Sequence, residues 1–142
     1  MFADDPEVIA TISEWVQKAE NDLVAATHLL KLGQTGPNDM VCFHAQQCIE
    51  KYLKALLINL GRDFPRTHNI RVILNLLPAN LRPDLTPEAQ QALTDYATTT
   101  RYPGDYGVVS YAEAKTVVKL ARQVRKFARQ RLPKLALRRK AQ

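Results

Sequence analysis

From Val8 onward the apolar residues step by three and four, through Val8, Ile12, Trp15, Ala19, Leu23, Ala26 and Leu30, until Gly33 interrupts them. That spacing draws one apolar stripe along a long amphipathic helix, and Asp5 followed by Pro6 supplies its cap and first turn. The segment GQTGPND at 33–39 holds two glycines and a proline and predicts a loop. Asn38 or Asp39 can then cap a second helix that runs to about Leu60 and stops at Gly61.

The second helix has a different pattern. Val41, Ala45, Cys48, Ile49, Tyr52, Leu53, Leu56 and Leu57 make it apolar nearly all round, while His44, Gln47, Lys51 and Lys54 form one polar stripe with Glu50 beside it. A helix packed on most sides is the central member of a bundle. Its polar stripe must then face water in a cleft, a second subunit or a ligand.

RDFPRTHN at 62–69 reads as a polar connection, and IRVILNLLP as a short third helix ended by Pro78. Thr86 and Pro87 open a fourth helix through about Thr98. In TTTRYPGDYGVV, Pro103, Gly104 and Gly107 forbid a continuous helix. Ser110 and Glu113 then form a capping box. In the last helix Val117, Leu120, Ala121, Val124, Phe127 and Ala128 line one face and Lys115, Lys119, Arg122, Lys126 and Arg129 the other, with an end near Leu132, before Pro133. There is no strand-like alternation and no internal repeat. The pattern predicts an all-α, antiparallel up-and-down bundle of four to five helices over residues 1–132, followed by a basic tail, 133–142, that is disordered or docks on a partner.

The length, 142 residues, suits one domain with its own core. The start, MFADDPEV, is acidic and no apolar run nears the roughly 18 residues of a membrane span, so a cytoplasmic protein without membrane contact is expected. Cys42 and Cys48 lie six apart on one helix, too far along its axis to pair, and read as reduced core residues. Charge is segregated: residues from Lys115 to the end hold eleven Lys or Arg and no carboxylate, against nine basic and fourteen acidic residues before them. That asymmetry fits an anionic partner, or simply a solvated helix face.

Several chemistries lack their residues. There is no phosphate-cradling glycine loop and no zinc ligand set, so neither a metal nor a cofactor is expected. The histidines are His28, His44 and His68, and the two serines, Ser13 and Ser110, fall at helical or capping positions unsuited to a hydrolase nucleophile.

Three blocks, in order, resemble the HEPN domain family across nearly the whole chain: WVQKAENDLVAATHLL at 15–30, CFHAQQCIEKYLKALL at 42–57 with THNI at 67–70, and TRYPGDY at 100–106 before a terminal amphipathic helix. The likeness is to the branch carrying a TRYPGD-type loop. It implies a four- to five-helix bundle, a homodimer, nucleotide or RNA binding, and a small nucleotidyltransferase partner in a toxin–antitoxin-like pair. Many members of the family are ribonucleases that use an arginine followed within a few residues by a histidine. The corresponding arginine is Arg101, but no histidine follows His68, and the loop supplies Tyr102, Asp105 and Tyr106 instead. A missing imidazole removes a contribution of about 100- to 10,000-fold in general acid–base catalysis.

The resemblance thus leaves a non-catalytic nucleotide- or RNA-binding module as the leading reading, with Arg101, Lys51, Lys54, Tyr102 and His68 as phosphate and base contacts. The rival is a metal-independent ribonuclease in which Arg101 stabilises phosphorane charge and Asp105, His68 or His44 moves protons. A third reading is a bundle that only docks a partner through its basic last helix. Each residue also has a structural alternative. Arg101 can grip phosphate as a fork or pair with Asp105 or Glu50. Lys51 and Lys54 can bind phosphate or pair with Glu50 and Asp22. Tyr102 and Tyr106 can stack on bases or pack at a dimer interface. Arg62 and His68 match the bare arginine–histidine spacing in the wrong connection, where His68 is expected to cap or orient the third helix.

Overall fold

The structure, a computed structural model, describes residues 5–98, 103 and 107–138. Five α-helices, Pro6–Leu30 (α1), Asn38–Asn59 (α2), Ile70–Asn75 (α3), Pro87–Thr98 (α4) and Tyr111–Arg129 (α5), pack on one another as a bundle, and the described residues contain no strand. Among the described residues no helix is long and apolar enough to cross a membrane.

Fourteen of the 22 residues of α2 are buried, which makes it the central helix; α1, α3, α4 and α5 all pack against it. The apolar stripe of α1 turns inward as the spacing predicts, with Ile12, Ala19 and Ala26 fully buried. Asp5 caps α1 by accepting from the Glu7 amide at 2.9 Å. At the far end of α2, Gly61 takes φ +69°, its amide reaches the Ile58 carbonyl and the Arg62 amide reaches the Leu57 carbonyl, both at 3.0 Å. This pair of bonds closes the last turn in the form that a residue without a Cβ allows.

Three local expectations need correction. Neither Asn38 nor Asp39 caps α2, because the helix already begins at Asn38; the Asn38 side-chain amide instead reaches back to the Gly33 carbonyl at 3.4 Å and braces the loop. The third helix ends at Asn75, short of Pro78, since proline disfavours helical backbone in the residue before it. Arg62 and Arg82 satisfy the carbonyls freed there, donating to Leu76 and Leu77 at 2.6 and 2.7 Å. Finally, α5 ends at Arg129, and Lys134–Leu137 form a short turn that packs on α1 with Ala136 buried.

The connection from α2 to α3 is docked by its aromatic residue. Phe64 meets Trp15 of α1 edge-on, ring centroids 5.8 Å apart. Asn69 caps α3 by accepting from the Val72 amide at 3.1 Å, so the capping role expected of His68 belongs to its neighbour.

Candidate functional site

The polar stripe of α2 resolves into two clusters, each built on one carboxylate. In the first, Asp22 of α1 lies between the ring of His44, 2.9 Å from its Nδ1, and the ammonium of Lys51, to which it is hydrogen-bonded. In the second, Glu50 is 3% exposed and accepts from three groups: Gln46 Nε2 at 2.9 Å, His68 Nδ1 at 2.8 Å and Lys54 Nζ at 3.0 Å. Lys54 also donates to the Thr67 carbonyl at 3.2 Å and lies 5.7 and 5.5 Å from the ring centroids of Trp15 and Phe64. A buried cation is tolerable there because a carboxylate, a carbonyl and two ring faces replace its water.

The chemistry of the second cluster follows from its burial. An ionised Glu50 accepts only, so His68 Nδ1 carries the proton and the acceptor lone pair of the neutral ring sits on Nε2. Nearly half of the His68 side chain, 48%, is exposed, whereas the carboxylate that orients it is not. His68 is therefore a fixed imidazole with one edge in solvent. His44, its side chain 26% exposed beside Asp22, is set in the same way but more deeply.

The structure thus separates Lys51 from Lys54, each on its own carboxylate, and joins Lys54 with His68. Arg62 and His68 are engaged elsewhere: Arg62 with the Leu76 carbonyl, His68 with Glu50. Arg101, Tyr102, Asp105 and Tyr106 lie outside the described residues. The two cysteines are unpaired and buried; burial, foremost, pushes the Cys42 thiol up to about 12 and raises Cys48 as well, so neither is a nucleophile near neutral pH.

Two groups escaped the sequence reading. Gln46, wholly buried, stands one turn before Glu50 and passes a hydrogen bond from Gln47 on to it. Arg125, at the border between the two faces assigned to the last helix, forks onto Glu20 of α1, with Nε and Nη2 at 2.8 and 2.7 Å from its two oxygens. Arg129 joins the pair at 3.5 Å and reaches the hydroxyl of buried Tyr52 at 3.3 Å. Burial alone would raise the Glu20 carboxyl, but the bonds from Arg125 and Tyr52 and the charges of Arg125 and Arg129 hold it below its ordinary value. The available signal was the i, i+4 spacing of Gln46 with Glu50 and of Arg125 with Arg129.

Against known proteins, the family model described as the HEPN domain matches residues 12–131. The crystal structure of TT1696 from Thermus thermophilus superposes with a TM-score of 0.70 at 28% identity, over 87% of this chain and 99% of that one. The crystal structure of ST0689, an archaeal HEPN homologue, does so with a TM-score of 0.65 at 25% identity, over 84% of this chain and 96% of that one. Among curated proteins no sequence matches. Since the family model spans residues 12–131 and both solved structures share the fold over more than four-fifths of the chain, the chain belongs to the HEPN domain family.

Proposed function

We propose that this protein is a homodimeric nucleotide- or RNA-binding module, working beside a small nucleotidyltransferase in a toxin–antitoxin-like pair, and that it receives phosphate at the open edge of the Glu50–Lys54–His68 cluster. The observation that carries the reading is His68, held by a buried carboxylate yet half exposed. Fixed in this way, the ring is pre-organised to donate from Nε2 to a phosphate oxygen when both ring nitrogens carry protons, the neutral tautomer offering only a lone pair there. The family resemblance adds Arg101 and Tyr102 to the reading as phosphate fork and base platform. Lys51 and Lys54, already matched by carboxylates, act from behind by holding Asp22 and Glu50 in place. Family membership supports the nucleotide part; the dimer and the partner rest on the habits of the family alone.

The Glu50–His68 pair also favours a second reading, a metal-independent ribonuclease. A histidine whose Nδ1–H is anchored on a carboxylate can move protons through Nε2, and Arg101 would then stabilise the phosphorane.

One experiment separates the two. Labelled RNA is incubated at low salt with wild type, Arg101→Ala and His68→Ala, following both cleavage and retention. The binding module retains intact RNA and loses affinity about tenfold in either variant. Cleavage that vanishes in His68→Ala selects the ribonuclease, and unchanged affinity in both folded variants refutes the proposed site.

A further inference from the structure

The surplus positive charge of the chain is gathered away from the Glu50 cluster. A cleft of about 630 Å³ runs between α1 and the segment formed by α5 and the turn after it, and a shallower depression of about 500 Å³ adjoins it, sharing Leu23, Arg125 and Arg129. Along α1 the cleft extends from Ser13 to His28, about 22 Å at the helical rise. Among the described residues six cations line the two depressions, Lys31, Arg122, Arg125, Lys126, Arg129 and Arg138, against one carboxylate, Glu20. Glu20 is already committed to Arg125 and Arg129. Lys31, Lys126 and Arg138 form no ion pair among the described residues, and Arg122 only touches the Thr27 hydroxyl at 3.3 Å.

This arrangement differs from a solvated helix face in two respects. The cations stand on both walls of an elongated depression rather than on a convex surface, since Lys31 follows α1, Arg138 follows the final turn and the other four lie on α5. Further, the Glu20 clamp holds two of the lining guanidiniums in place, so part of their ordering precedes a ligand. Among the described residues no Phe, Tyr or Trp lines either depression and His28, at one end of the cleft, is the only aromatic ring, so successive bases have no row of platforms there on which to stack. A ligand recognised here is read through its charge.

We infer that the α1–α5 cleft, together with the depression that adjoins it, is a second anion site, separate from the Glu50 cluster, that tracks the phosphodiester backbone of a single nucleic acid strand without reading its bases. Its contacts are charge–charge, so its affinity falls steeply with salt, by about 0.7 in log K per unit log salt for each phosphate neutralised on a single strand.

The test uses the full chain and fluorescein-labelled oligouridylate and oligothymidylate of about 12 nucleotides, within the span that such grooves occupy. Anisotropy is followed from low to high salt. The double variant Arg122→Ala/Lys126→Ala removes two cations of the depression that adjoins the cleft; Lys115→Ala/Lys119→Ala removes two on the same helix that line neither. The first pair is expected to weaken binding about tenfold at low salt and to lower the salt slope by about 1.4, and the second pair to leave both nearly unchanged. The tighter of the two oligonucleotides then tells whether RNA or DNA is the strand. Equal loss in both double variants means diffuse attraction and overturns the cleft. So does unchanged binding in a folded Arg122→Ala/Lys126→Ala protein, or equal affinity for polyglutamate of matched charge, which would mark an acidic protein partner. Loss in Arg122→Ala/Lys126→Ala with no loss in His68→Ala supports this cleft and counts against the Glu50 site alone.

Discussion

Glu50 is buried and serves three donors at once, so removing it strands more than a single bond. Lys54 would keep its place under Trp15 and Phe64 with no counter-charge, and His68 would lose the acceptor that sets its ring. Glu50→Ala is therefore expected to cost about 3–5 kcal/mol in urea unfolding, the range for breaking a buried pair from one side. Asp22→Ala should cost about 1 kcal/mol, because His44 and Lys51 retain access to water. At this scale the sequence was half legible. Helical spacing put His44, Lys51 and Lys54 on one stripe and offered Asp22 and Glu50 as partners. It did not tell which carboxylate took which cation, since that depends on how far α1 slides along α2. Nor did it bring His68 to Glu50, a contact made across eighteen residues of chain.

At the scale of elements, local rules acted almost alone. Ser110 caps α5 by accepting from the Glu113 amide at 3.0 Å, and the Glu113 carboxylate takes the hydroxyl of Tyr96 at the end of α4. The helix start thus ties α5 to α4. Ser110→Ala should lower stability by about 1 kcal/mol, read as a shift in the urea midpoint at constant slope. A shift within error would mean that Glu113 and Tyr96 hold the helix start unaided. The starts of α1, α4 and α5 and the glycine stops at Gly33 and Gly61 were all legible, because caps, prolines and positive φ act within a few residues. The start of α2 and the end of α3 were not. Each is decided by a longer reach: the Asn38 amide to Gly33, and two arginines to the carbonyls before Pro78.

For the whole molecule the decisive contact joins its two distant parts, α1 and α5. Glu20 carries opposing influences, burial against the pull of Arg125, Tyr52 and Arg129, and the net effect is a carboxyl held below the ordinary value of 4.5. A carboxyl lowered in the folded state contributes stability above its unfolded value and loses it as pH falls through the folded one. Melting temperature should then be level above pH 4.5 and fall below it, while Glu20→Gln starts lower at neutral pH, declines less steeply and meets wild type in acid. Parallel profiles for the two proteins would show that Glu20 does not link α1 to α5. The segregation of charge was plain in the sequence. Its meaning was not, because only the packing of α1 against α5 turns a basic helix face into one wall of a cleft.

The chain has one tryptophan. Trp15 stands edge-on to Phe64 and within 5.7 Å of the Lys54 ammonium, at the point where the α2–α3 connection is pinned to α1. An indole emits according to the field and the water around it, and here both are set by that ammonium and that ring. The molecule thereby carries its own optical gauge: undocking of the connection, or loss of the lysine charge, is written in the colour and yield of a single fluorophore, with no label attached.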